Sequence, residues 1–196
     1  FTIPQKTLPP ITASFFAVFD GHGGSQCADL LSKHFANDLS RCFAKYKADL
    51  TDTLIFNVFK EASVNFNNTM KQQLHNNTIF PGSTASVLLI LNQKQAWCMN
   101  VGDSRVVVKL NDNNEQCTED AKPEKPRFRH SILKRGGTVV FKKGTWRVDG
   151  NIAPARSFGD FHIPGMTARP KLTKWDLSHL EPQKNSFFLL ATDGLW

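Results

Sequence analysis

Two apolar runs, one near each end of the chain, stop abruptly at the same dipeptide. Phe15-Phe16-Ala17-Val18-Phe19 runs into Asp20-Gly21-His22-Gly23-Gly24, and Phe187-Phe188-Leu189-Leu190-Ala191-Thr192 runs into Asp193-Gly194. Unbroken apolar runs of this length read as strands buried on both faces. The glycines allow tight turns and close approach of backbone to a ligand. Each strand therefore delivers a carboxylate to the mouth of a buried sheet, and the first adds an imidazole. If the two strands are neighbours, the carboxylates stand side by side. Hard cations such as Mg²⁺ and Mn²⁺ take that oxygen-only arrangement. A single Asp-Gly is common turn chemistry; the signal lies in the pair.

The intervening sequence is long enough for one sizeable core. Sixteen Phe and four Trp among 196 residues mark a globular chain rather than a disordered one. The formal charge of +7 suits a solvated basic surface, an acidic surface or a phosphorylated partner. No nucleic-acid module is visible and no apolar run can span a bilayer, so neither nucleic acid nor membrane is expected as a partner. Cys27, Cys42, Cys98 and Cys117 lack CxxC spacing and read as reduced thiols of an intracellular protein, cytoplasmic or nuclear. No targeting segment is visible. Asn67-Asn68-Thr69 and Asn76-Asn77-Thr78 match the glycosylation sequon, as Asn-rich sequence does by chance.

Residues 1–12, with three prolines, read as irregular. Apolar residues at helical spacing follow Ser25, a candidate cap, and predict an amphipathic helix over 26–47. Leu54, Ile55, Val58, Phe59, Ala62 and Phe66 predict a second, starting at Thr51 or Asp52 and fading near 71–77. From Pro81 the period shortens. Runs at 83–91, 96–101 and 105–110 read as antiparallel hairpins. Residues 111–129 read as loop, 130–135 as a short helix closed by Gly136-Gly137, and 138–142 with 146–148 as a hairpin. Residues 151–159 read as a turn and short helix, 161–171 as a surface loop and 187–191 as the last strand. Helices grouped together, then many short antiparallel strands, argue for an α+β layered fold.

Five motifs now stand in order: FFAVFDGHGG from Phe15, GSTAS from Gly82, NVGDSR from Asn100, WRVDGNIAPARSFGD from Trp146 and FFLLATDGLW from Phe187. Together they resemble the ordered motifs of the metal-dependent type 2C Ser/Thr protein phosphatases, and they span nearly the whole chain. The resemblance implies a central β-sandwich of two antiparallel sheets flanked by helices, with metals at one end. It implies two Mg²⁺ or Mn²⁺ ions bridged by Asp20, with the Gly21 carbonyl and Asp193 as further ligands. Asp103 would serve a third ion, although Gly-Asp-Ser is also good hairpin chemistry. His22 would protonate the leaving alkoxide, so His22 and Asp20 carry the catalysis. The reaction implied is hydrolysis of phosphoserine and phosphothreonine by a water that the metal pair activates, with phosphorylated proteins as partners and the protein itself monomeric.

The chain also departs from the family pattern. The family opens with an Arg-x-x-Met-Glu-Asp segment, carrying a phosphate-binding Arg, upstream of Phe1. It continues past Trp196 with further acidic ligands. The 196 residues are therefore expected to be one partial catalytic domain, inactive and poorly folded alone. The family has Glu and Arg where this chain has Phe128 and Ser131, which leaves a structural ion pair open. Arg105 and Arg156 read as structural residues that pair within the turn region. The basic stretch 122–135 reads as solvated. Two rival readings remain: a non-catalytic relative that binds a partner through the same fold, and an unrelated phosphohydrolase on a parallel α/β sheet.

Overall fold

The computed structural model describes residues 1–46, 48–73, 81–113 and 115–196. The chain opens with strands β1 (Thr2–Ile3), β2 (Ile11–Val18) and β3 (Gly21–His22), then helices α1 (Gln26–Lys45) and α2 (Asp52–Gln73). Strands β4 (Gly82–Ser83), β5 (Ala85–Leu91), β6 (Gln95–Val101), β7 (Arg105–Lys109) and β8 (Gln116–Cys117) follow. Helix α3 (Pro126–Lys134) precedes the hairpin β9 (Val139–Lys142) and β10 (Thr145–Val148). The last strands are β11 (Phe158–Gly159), β12 (Lys171–Asp176) and β13 (Phe187–Ala191), and a 3₁₀ turn, Asp193–Leu195, closes the sequence.

One sheet has the order β1-β2-β5-β6-β12 and a second has β13-β7-β8. Every pairing among the described residues is antiparallel. The parallel α/β rival is thereby excluded, and the α+β layered fold holds. Alternation along the strands builds two cores from one sheet. In β5, Ala85, Val87, Leu89 and Leu91 face α1 and α2, joined there by Trp97, Met99 and Val101 of β6. The opposite parity, Leu88, Ile90, Ala96 and Cys98, meets Val106 and Val108 of β7 and Phe188 and Leu190 of β13.

Both Asp-Gly strands differ from the sequence expectation in the same way. Ala13, Phe15 and Ala17 pack toward the helices, but Phe16 is 53% exposed. Phe188 and Leu190 turn inward while Phe187 and Leu189 are exposed. Each run is therefore covered on one face: the second core gathers residues of β5, β6, β7, β12 and β13, and Phe16, Phe187 and Leu189 stay outside it. β2 and β13 are not neighbours within a sheet; they belong to different sheets.

The expected third hairpin strand also moves. β6 does pair with β5, but β7 pairs with β13 and β8. The chain crosses between sheets at Gly102, where φ is +101°. A Cβ at Gly102 would lie 2.7 Å from Thr84 Cγ2, so the crossing needs glycine on both counts. Residues 151–157 hold no helix, β1 and β8 arise where irregular chain or loop was expected, and β12 arises in a stretch to which the sequence assigned no element. β12 is short, charged and half exposed, so its sequence, KLTKWD, lacks a strand's apolar alternation.

The helices follow their sequence cues. Leu31, Phe35 and Leu39 of α1 and Val58, Phe59, Ala62 and Phe66 of α2 form facing buried stripes. The last turn of α1 is tied down by Lys45 and the Tyr46 hydroxyl, which donate to Glu61 at 2.9 and 2.7 Å. Ser25 is the N-cap residue of α1, yet its hydroxyl bonds the Asp29 carboxylate at 2.9 Å instead of a backbone N–H. α3 starts earlier than expected, with Pro126 in its first turn, where proline's missing N–H costs nothing. Gly137 N–H then donates to Ile132 O and ends it. Lys47, much of the expected fading segment and the second sequon lie outside the described residues.

Phe35 shows what holds the helical layer. It is fully buried, and its ring meets Phe66 and Phe158 edge-on at 5.6 and 5.7 Å. Phe158 belongs to β11, so this cluster anchors the segment that carries Asp160. Phe35→Ala should lower unfolding free energy by about 3–5 kcal/mol. Urea unfolding of the full-length protein measures it, and a loss below about 1 kcal/mol would show that the cluster is not the anchor.

Candidate active site

The site begins where β2 ends. Thr84 N–H donates to the Asp20 carbonyl at 2.9 Å, and Asp20 N–H donates to Thr84 Oγ1 at 3.3 Å. The Thr84 and Ser104 hydroxyls share a hydrogen bond of 2.6 Å. Thr84 thus joins the first Asp-Gly turn to the crossover loop that carries Asp103. A cavity of about 290 Å³ opens beside it, lined by Asp20, His22, Thr84, Asp103, Arg147, Asp193 and the segment 151–154. Asp20 comes from one sheet and Asp193 from the end of the other. The carboxylates therefore meet across the end of the sandwich rather than along one sheet. Gly21 lies between Asp20 and His22 in β3.

Asp103 is buried, and its partner is Lys122, whose ammonium forms an ion pair with it. The same nitrogen lies 4.0 Å from Asp193 Oδ2. Burial pushes the Asp103 carboxyl above the usual carboxylate range and Asp193 adds to the effect, while Lys122 opposes both. The loop bearing Lys122 is held from two sides. Ala121 N–H donates to Gly102 O at 2.9 Å, and Arg105 grips Asp120 through Nε and Nη2 at 3.0 and 2.8 Å. Arg105 is thus the structural pairing residue that its motif suggested.

His22 rests on a separate miniature sheet, β11-β4-β3, in which His22 pairs with Gly82 and Gly82 with Gly159. This ribbon brings Asp160, buried and at φ +47°, against the imidazole. His22 Nε2 donates to Asp160 Oδ2 at 2.7 Å, and Ser157 Oγ donates to the same oxygen at 2.5 Å. Burial lowers the His22 pKa, but the hydrogen bond and charge of Asp160, with Asp103 and Asp20, outweigh it and raise the value above 6.5.

The cavity gathers Asp20, His22, Asp103 and Asp193, the four side chains that the sequence put forward. Sequence reasoning missed Asp160, Lys122, Arg147 and Thr84. Asp160 closes the SFGD motif and Thr84 sits inside GSTAS, so both had a visible signal. Lys122 and Arg147 had none beyond charge. Arg156 departs from expectation: among the described residues it pairs with no carboxylate, and it donates Nη1 to Arg169 O at 2.8 Å and stacks on Phe128 at 5.0 Å.

The donor set fits a hard divalent ion in kind: the cavity gathers the carboxylates of Asp20, Asp103 and Asp193. Lys122 shows that positive charge belongs between Asp103 and Asp193. Among the described residues, no three His, Cys, Asp or Glu side chains stand close enough to form a shell unaided. Mg²⁺ keeps several waters and takes few protein ligands, so a sparse carboxylate set suits it.

The sequence profile described as protein phosphatase 2C matches residues 3–196, and the chain belongs to that family. Probable protein phosphatase 2C 11 of Arabidopsis thaliana is 36% identical over 186 residues, covering 93% of this chain and 46% of the relative. Protein phosphatase 1L of Bos taurus is 31% identical over 200 residues, covering 99% of this chain and 53% of the relative. The chain spans about half the length of the curated relatives it matches. Among solved structures, a phosphatase from a pathogenic strain of Toxoplasma gondii superposes with a TM-score of 0.76 at 22% identity, covering 94% of this chain and 69% of that one. A C. elegans sex determining protein superposes with a TM-score of 0.75 at 24% identity, covering 86% and 41%. At these identities the likeness is one of fold.

Proposed function

We propose that the full-length protein carrying this chain is a metal-dependent protein serine/threonine phosphatase acting on phosphorylated proteins. The observation that carries the reading is the convergence of Asp20, Asp103, Asp193 and the His22–Asp160 pair on one cavity. Asp20, the Gly21 carbonyl, Asp193 and Asp103 would hold two or three Mg²⁺ or Mn²⁺ ions. Such ions, when bound, supply charge for the phosphoryl oxygens and a water acidic enough to attack near neutral pH.

The chain's own residues do the rest. Arg147 brings the only guanidinium among the cavity-lining residues, placed to meet a phosphoryl oxygen. Its Nη1 donates to Asn151 O at 3.0 Å, which fixes the side chain against the cavity wall. Lys122 balances Asp103 and Asp193. His22 has Nε2 committed to Asp160, which leaves Nδ1 to give its proton to the departing seryl or threonyl oxygen. Alkoxides leave poorly without that proton, whereas aryloxides leave readily.

The test follows from that difference. His22→Gln in the full-length protein should slow phosphopeptide hydrolysis by about 10²-fold. Hydrolysis of an aryl phosphate should fall far less. Equal losses on both substrates would remove His22 as the acid. Absence of any phosphopeptide hydrolysis by the unmutated protein with Mn²⁺ would overturn the function itself.

A further inference from the structure

A second cavity, of about 310 Å³, lies between α2, α3 and β12, and its charged lining residues are all cations: Arg127, Arg156, Arg169 and Lys171. Two of these guanidiniums share one aromatic platform. Arg127 and Arg156 sit over the Phe128 ring at 4.5 and 5.0 Å. Like charges held that close need a counter-charge, and the protein supplies too little. Glu119 bonds Lys171 at 2.8 Å and pairs with Arg127 and Lys125, so one carboxylate is already divided among three cations. Arg156 pairs with no acid among the described residues. Its Nε–H is buried with no acceptor there, and its Nη1 reaches only a backbone carbonyl.

An unpaired buried donor is costly, and guanidinium forks match tetrahedral oxyanions. Burial, followed by repulsion from Arg135, Arg127 and Arg169, lowers the Arg156 pKa to about 10. The same repulsion is relieved when an anion binds among these cations. Ser131 adds a hydroxyl to the wall. A singly charged carboxylate would leave most of this charge unmet. A phosphate group carries close to two charges and three acceptor oxygens.

We propose that the cavity bounded by Arg127, Arg156, Arg169 and Lys171 binds a phosphate-class dianion, at a site separate from the catalytic cavity. The phosphate comes either from free inorganic phosphate or from a phosphorylated residue of a protein. The two cavities share no lining residue, so the sites are separable by mutation.

Calorimetric titration of the full-length protein tests this, with Asp20→Asn present so that peptide is not consumed. One arm uses inorganic phosphate, a second uses a singly phosphorylated serine peptide, and chloride at equal ionic strength is the control. Phosphate should saturate a site that Arg169→Glu and Arg156→Gln each weaken by about tenfold or more. Arg147→Gln, in the catalytic cavity, should leave that site intact. Arg169 is exposed, so Arg169→Glu should melt as the parent does without phosphate and keeps the test readable if Arg156→Gln unfolds. Peptide binding with the same mutational pattern identifies a protein-borne phosphate; phosphate binding without peptide binding identifies the free anion. Equal affinity in all variants, loss only with Arg147→Gln, or reproduction by chloride would overturn the site. The readout is binding, so an inactive enzyme would not be mistaken for an absent site.

Discussion

Asp20→Asn should lower Mn²⁺-dependent phosphopeptide turnover of the full-length protein by about 10³-fold while the fold persists. The substitution keeps size and shape and removes only the negative charge. Asp20 meets the rest of the protein mainly through its backbone, since its N–H and carbonyl both engage Thr84. Its carboxylate lines the cavity, facing away from the backbone bonds that hold the turn to Thr84. Losing it should therefore leave the melting temperature close to that of the parent. Divalent charge at a phosphoryl oxygen is worth several kcal/mol in the transition state, and each 1.36 kcal/mol is tenfold in rate. About 4 kcal/mol gives the loss expected. Mn²⁺ affinity, measured by calorimetry without substrate, should fall in parallel. A loss of only a few-fold at saturating Mn²⁺, or unchanged affinity, would show that Asp20 does not hold metal.

The parts of this site that were legible in the sequence share one property: each is fixed by a few adjacent residues. Asp20-Gly21-His22 and Asp193-Gly194 follow directly from strand, turn and glycine. Asp103 was legible as a residue but not as a position. Gly102-Asp103-Ser104 has hairpin composition, and only the packing of Val106 and Val108 against the second core shows that the chain crosses between sheets there. The helices could be read because their apolar stripes repeat at one period over many turns. β12 could not, because the sheet edge recruits it through backbone pairing with β6 while its side chains stay half exposed.

The cross-chain pairs were harder still. Asp160 lies 138 residues from His22 in sequence. Nothing local to either residue predicts that two-residue strands will align them. Lys122 sits in a stretch that reads as solvated charge, yet its ammonium is drawn in by two carboxylates far apart in sequence, Asp103 and Asp193. Arg156 shows the converse. Its motif suggested a paired arginine, and the acid that pairing requires is absent from its described surroundings, because Phe128 fills the place beside it. Such facts depend on tertiary charge balance, which composition does not encode.

Gly82→Ala should disable the site without touching any ligand. Gly82 is the middle of the three short strands that set His22 against Asp160. Its φ is not in the left-handed region, so alanine meets no backbone strain there. The obstacle is space alone: an added Cβ would fall inside contact distance of both Asp160 Oδ2 and His22 Nε2. Neither atom can yield without breaking the 2.7 Å bond between them, and Asp160 is also held by Ser157. The variant should lose about 1–3 kcal/mol of stability to overpacking. Phosphopeptide turnover should fall by about 10²-fold or more, because the displaced imidazole loses both its partner and its aim. Asp160→Gly supplies the check. Glycine tolerates the φ of +47° at that position and removes the carboxylate that obstructs the added methyl group. Gly82→Ala combined with Asp160→Gly should therefore be more stable than the sum of the single changes predicts, and it should stay slow. Strict additivity in stability, or turnover restored in the double variant, would show that Gly82 is not there to make room for the His22–Asp160 pair.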